Sequence, residues 1–242
     1  MPSTSLADWF NTHLGQSLLA AEKHHVTHHL AKLYGPTAVQ MGVGIDFDFL
    51  ENSEALHHIY VSREPCPQPS SLAVAGVPES LPLEAKSVGL IVLPHVIEFT
   101  HDPHQVLREI NRVLVPEGHV LIVGFNPLSM WGLYRLGFAH RGTPPWTGHF
   151  HRLSRIKDWL AVLGFESVAG SMVYYLPPFQ SESIRDKLRV LNKVGDRWWP
   201  MMAAVYVLVA RKREPGMTPI APAWKSNRGL APGIAEPVAR SG

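Results

Sequence analysis

Residues 88–125 read VGLIVLPHVIEFTHDPHQVLREINRVLVPEGHVLIVGF, and their pattern decides the fold. Residues 88–93 are an almost unbroken apolar run, as expected of a strand covered on both faces. Over 102–114 the spacing turns helical: Val106, Leu107, Ile110, Val113 and Leu114 form one stripe. His101-Asp102-Pro103 starts that helix, with Asp102 placed to cap it and Pro103 in the first turn. Pro116-Glu117-Gly118 reads as a turn, and 119–125 as the next apolar strand. Strand, helix and strand in that order imply a parallel sheet covered by helices, joined by right-handed crossovers.

The same alternation extends outward. Residues 38–43, 57–62 and 72–75 are candidate strands, and 47–55 has room for a short helix. Residues 5–33 are expected to be helical, with Leu6, Trp9, Phe10, Leu14, Leu18 and Leu19 inward and Asp8 and Glu22 on the polar face. Gly35-Pro36 ends that segment. Beyond Asn126-Pro127 the chain is irregular to residue 151, where Trp131, Tyr134, Phe138, Trp146 and Phe150 form either a lid or a packing cluster. A helix over 153–163 ends at Gly164, and strands over 165–176 and 203–211 flank a polar helical stretch at 181–194. Trp198 and Trp199 precede the last strand and suit core or interface. Three parts follow: a helical segment at 1–36, an α/β domain at 37–213, and a Pro- and Gly-rich tail at 214–242 expected to be disordered.

Composition narrows the function. At 242 residues, 45% hydrophobic and 17% charged, the chain can fill one large α/β core. The apolar run at 201–210 is too short to span a bilayer. Cys66 is the lone cysteine, so no intrachain disulfide can form, and no secretory signal pattern is visible; a cytoplasmic location is expected. The net charge of +2 without a basic run gives no footprint for nucleic acid. His24, His25, His28 and His29 lie at helical spacing, but no acid or cysteine nearby completes a metal set, so a solvated face and no metal are expected.

In an open parallel sheet a ligand sits beyond the carboxyl ends of the strands, at the switch in strand order. That places Gly42-Val43-Gly44, Ser62, residues 76–79, Pro94-His95 and Phe125-Asn126 around a common site. His95 is a candidate general base, because an imidazole titrates near neutral pH. Asn126-Pro127 suits either an acceptor wall or a turn.

Residues 76–99, GVPESLPLEAKSVGLIVLPHVIEF, resemble the third-to-fourth-strand segment of class I methyltransferases of the type-11 group. Residues 102–122, DPHQVLREINRVLVPEGHVLI, resemble without a gap that family's D-P-x-x-x-L-x-E-x-x-R-V-L-K-P-G-G-x-L-x-I. LPHVIEF followed by GFNPLSMWG is similar to an uncharacterised proteobacterial subgroup of them. The resemblance covers about 38–211. It implies a Rossmann-like, mostly parallel seven-stranded sheet whose last strand is antiparallel. It also implies S-adenosylmethionine as cofactor and methyl transfer to an acceptor, here expected to be a small molecule. Carried over by position, the cofactor contacts are Gln40, Gly42, Val43, Gly44, Ser62, Glu64, Val77, Pro78, Glu79 and Pro94, while Glu98 matches the acid of the family's L-E-H.

Four acids of that pattern are replaced. Gln40 stands at the acid before the glycines, Ser62 at the ribose-binding acid, Val77 after the third strand and Gly89 at the start of the fourth; Asp46 occupies the third glycine's place. Two lost charged hydrogen bonds would weaken binding by about 3–6 kcal/mol. The alternative is therefore a catalytically inactive fold acting as a binding or regulatory module. A nicotinamide dehydrogenase would need G-x-G-x-x-G and a serine hydrolase G-x-S-x-G, and neither pattern is present. A Gly42→Val replacement is expected to fill the ligand's space.

Overall fold

The computed structural model describes residues 6–42, 47–62, 72–138, 142–178 and 200–214. Seven strands form one sheet: β1 (Thr37–Met41), β2 (His57–Ser62), β3 (Leu72–Ala75), β4 (Val88–Pro94), β5 (Leu114–Phe125), β6 (Phe165–Val173) and β7 (Val205–Lys212). Their order is β3-β2-β1-β4-β5-β7-β6. The first five are parallel, and β7 runs antiparallel between β5 and β6. Every residue of β4 is buried, as its unbroken apolar run requires.

Helices cover both faces. On one lie α1 (Leu6–Phe10) and α2 (His13–Leu30), whose Phe10, Leu18 and Leu30 pack with Leu121, Val123 and Val207. On the other lie α3 (Pro103–Val113) and α5 (Leu153–Val162), whose Leu107, Ile110 and Leu160 pack with Ile91, Leu93 and Ile122. Asp102 caps α3 by accepting from the Gln105 amide at 3.0 Å, and Gly164, at φ +83°, follows α5.

Several expectations change. The segment at 5–33 is two helices, because Thr12 interrupts it: its hydroxyl donates to the Trp9 carbonyl at 2.7 Å and accepts from the Gly15 amide at 3.1 Å. Gly15 lets the two helices touch, since a Cβ there would lie 2.4 Å from the Trp9 carbonyl oxygen. No helix forms over 47–55; turns replace it. The irregular stretch contains α4 (Met130–Phe138). The turn at Pro116–Gly118 loops out within β5, so that Val88 pairs with Leu114 but Leu90 pairs with His119. The helical stretch at 181–194, Trp198 and Trp199, and the tail from 215 lie outside the described residues. Among the described residues no helix is long and apolar enough to cross a membrane.

Candidate functional site

A cavity of about 470 Å³ opens at the carboxyl ends of β1, β2 and β4, beside the turn after β3. Its size lies within the ~300–1,000 Å³ usual for small-molecule sites. Gly42, Ser62, Pro78, Glu79 and His95 line it, so the strand ends do converge as the sequence implied. Other walls went unforeseen. Leu6 and Ala7 come from α1, Val96 and Phe99 follow β4, and Pro144 comes from the aromatic insertion. Nothing in the local sequence marks Leu6, Ala7 and Pro144, because distant segments bring them in, whereas Val96 and Phe99 directly follow the strand end at Pro94-His95.

The remaining positions fall elsewhere. Val43, Gly44, Asp46 and Glu64 lie outside the described residues. Val77 is not on the cavity wall; it bridges to Ser80 and shapes the turn that presents Pro78 and Glu79. Pro94 is buried at the end of β4, and its carbonyl oxygen would be 2.6 Å from a Cβ added to Gly42. Gln40 is buried, with its amide donating to the Phe47 carbonyl at 2.9 Å and its oxygen accepting from the Phe49 amide at 2.8 Å. It thus ties down the segment after the glycine turn and does not face the cavity. Gly42 has φ +99°, which strains any side chain, and a Cβ would also strike Val96 at 2.6 Å. The expectation for Gly42→Val is corrected accordingly: the new side chain collides with protein before it reaches ligand space.

Glu79 is oriented by Thr100, whose hydroxyl donates to its carboxylate, and Gln105 donates to its backbone carbonyl at 3.3 Å. Arg112 and Glu109 of α3 strap down the residues that follow. Arg112 donates to the Leu81 and Leu83 carbonyls at 3.0 and 2.9 Å, and Glu109 accepts from the Leu81 amide at 3.1 Å. Gly89 has no room for the family's aspartate, because a Cβ there would sit 2.9 Å from the Cα of Gly35.

Beneath the cavity lies a buried cluster. His95 Nε2 pairs with Glu22 Oε1 at 3.0 Å, and His95 Nδ1 with Glu98 Oε1 at 3.4 Å. Glu98 Oε1 also accepts from the Phe125 amide at 2.6 Å. Phe125 stacks on the imidazole at 4.2 Å and Phe10 lies tilted against it at 5.6 Å. Burial alone would push the His95 pKa down; the charge and hydrogen bond of Glu22, then those of Glu98, outweigh it and raise it to about 10. Burial pushes the Glu22 carboxyl up, and His95 offsets part of that. The expectation that Glu22 faces solvent is corrected: it is fully buried and joins α2 to the end of β4. His95 itself adopts φ +53°, a conformation that an over-determined site can hold.

Two other expectations resolve as packing. Asn126 donates to the Met201 and Ala203 carbonyls at 2.7 and 3.0 Å and accepts from the Leu128 amide at 3.0 Å, which makes it a turn residue. Trp131 is buried, stacks near Phe125 at 5.9 Å and donates to the Leu176 carbonyl at 2.8 Å. His29 also turns inward, to the Ser171 hydroxyl at 2.8 Å, so the histidine run is not a wholly solvated face.

A seven-stranded sheet in this order, with β7 reversed and a cavity across the β1–β4 switch, has the class I methyltransferase architecture. A family model described as a methyltransferase domain matches residues 26–122. The uncharacterised protein YafS of Escherichia coli strain K12 is 31% identical over 222 residues, covering 88% of this chain and 84% of that one. Among solved structures, a Thermotoga maritima S-adenosylmethionine-dependent methyltransferase aligns with TM-score 0.62 at 17% identity, over 83% of this chain and 92% of its own. One from Mesorhizobium loti aligns with TM-score 0.56 at 14% identity, over 78% and 96%. The chain belongs to the class I S-adenosylmethionine-dependent methyltransferase family.

S-adenosylmethionine is the cofactor of that family, and the cavity fits it. Gly42 leaves the backbone bare where a ligand must approach closely, and Val61, Pro78 and Val96 give apolar walls. Ser62 stands at the end of β2 where the family places its ribose-binding acid.

Proposed function

We propose that the protein transfers a methyl group from S-adenosylmethionine to a small-molecule acceptor, with Gly42, Ser62, Pro78 and Glu79 holding the cofactor. The observation that carries this reading is the convergence of those four residues on one cavity at the strand-order switch. When bound, the cofactor would supply an electrophilic methyl group on a sulfonium, the broken S–C bond's electron pair staying on sulfur while the acceptor's lone pair forms the new bond to carbon. The chain's own part is positioning and water exclusion, which account for much of the rate in such transfers. Leu6, Ala7, Phe99 and Pro144 supply apolar lining to the cavity at the strand ends.

His95 is assigned a positioning role, in place of the general base that the sequence suggested. Both ring nitrogens face carboxylates, and a charged imidazole has no lone pair to accept a proton. The acceptor must then bring its own nucleophilic lone pair or lose its proton to solvent. Incubation with methyl-labelled S-adenosylmethionine and a cell-derived small-molecule fraction tests the reading. Label appearing in a small organic product supports it. If the cofactor binds but no label moves to any acceptor, the enzyme reading fails and the chain is a binding module.

A further inference from the structure

A second cavity, of about 390 Å³, lies at the opposite end of the sheet, between the end of α2 and strands β5, β7 and β6. Its polar lining among the described residues is cationic or imidazole: His29, Lys32, His119 and Arg211. Its apolar lining comes from buried Leu33 and Val209 and from Val168, which is exposed. No carboxylate among the described residues lines it.

Three observations converge here. His119 and Arg211 are directly paired across β5 and β7, so their side chains share one face. The Nε of Arg211 is buried with no hydrogen-bond partner among the described atoms, although its terminal nitrogens meet Glu166 and Glu117 at 3.2 and 3.5 Å. β6 has a register irregularity between Ser167 and Ala169, and the unpaired Val168 lies on the cavity wall. Bulges of this kind recur beside binding sites, where they re-aim the chain. Nearby positive charge also contributes to holding the imidazoles down. Burial and then Arg211 lower the His119 pKa against the pull of Glu117, and burial, His28, His25 and Lys32 lower that of His29.

We infer that this cleft binds a small organic anion, its phosphate or carboxylate held by Lys32, His119 and Arg211 and its apolar body by Leu33, Val168 and Val209. A buried unmatched donor has a cost that an anion relieves, and Lys32, whose ammonium meets His28 Nε2 at 3.0 Å, lines the same cleft; charge-assisted bonds of this type are the stronger ones. The cleft is not an acceptor subsite. His119 and Phe125 are six residues apart on β5, about 20 Å, and the cofactor cavity lies at the Phe125 end. The inference stands independently of methyl transfer.

The test titrates the full chain at fixed pH with hexyl phosphate, hexanoate, inorganic phosphate and uncharged hexanol, following the ring NMR signals of His29 and His119. A saturable shift with hexyl phosphate or hexanoate, weakened about tenfold or more by Lys32→Gln and by His119→Gln, is the expected result. Whichever anion binds more tightly identifies the headgroup. Melting curves check that both variants stay folded. No saturable shift up to about ten millimolar with any anion would overturn the inference. So would binding of hexanol as strong as that of the anions, or binding unchanged in both variants.

Discussion

Ser62 and Gly89 both stand where the family has an acid, yet the structure separates them. Ser62 faces the cavity, so Ser62→Asp restores a charged partner for a ribose edge. A charged hydrogen bond exceeds a neutral one by roughly 1–1.5 kcal/mol, so S-adenosylhomocysteine should bind about tenfold tighter in calorimetric titration. Gly89 is packed against Gly35, so Gly89→Asp should cost about 1–3 kcal/mol in a denaturant melt and add no affinity. At His95, removing one member of a buried pair should cost about 3–5 kcal/mol, read as a lower melting temperature in His95→Gln. The raised pKa also fixes a pH dependence. Folded His95 binds its proton more tightly than the unfolded chain does. The stability it lends is complete below about pH 6.5 and is lost as pH rises through about 10. Glu22, also raised, acts in the same direction from a lower starting pH. Wild-type stability should therefore fall across that window by up to about 1.4 kcal/mol per pH unit from His95, a slope that His95→Gln removes. An unchanged slope in the variant would place the proton elsewhere.

At the scale of elements, β4, α3 and β5 were legible because period and caps agreed with tertiary burial. Asp102 caps as its place before Pro103 implied. The break between α1 and α2 was not legible, since Leu6, Trp9, Phe10 and Leu14 suit one continuous stripe as well as two helices. Only the Thr12 and Gly15 contacts reveal it. Glu22 misled for a related reason: a glutamate at helical spacing looks solvated, and its partner is 73 residues away in sequence. The α1–α2 pair is thus part of the cavity. Trp9 packs edge-on against Phe125 and Trp131 at 6.4 and 5.9 Å, which anchors the helix that carries Leu6 and Ala7. Trp9→Ala should cost about 3–5 kcal/mol in a thermal or denaturant melt and weaken S-adenosylhomocysteine binding with it. A stability cost of that size with undiminished affinity in the folded variant would show that α1 does not shape the site.

For the whole molecule, the parallel run of β1 to β5 puts the described strand ends named from the sequence on one side of the sheet, and that much was readable from alternation, whereas the reversed β7 was implied by the family resemblance. The sequence could not tell which of those ends face the cavity. Gln40 and Val77 turn away to hold loops, whereas Leu6 and Pro144 arrive from distant segments. The two cavities lie at opposite ends of the sheet, and α2 runs between them, with Glu22 at the His95 cluster and His29 at the anion cleft. The central claim is that the site still holds its cofactor despite the replaced acids. Calorimetric titration of the full chain with S-adenosylhomocysteine and S-adenosylmethionine tests it most directly. The account predicts saturable one-site binding in about the micromolar range, tightened by Ser62→Asp. Absence of binding up to about millimolar ligand in the folded protein would contradict it.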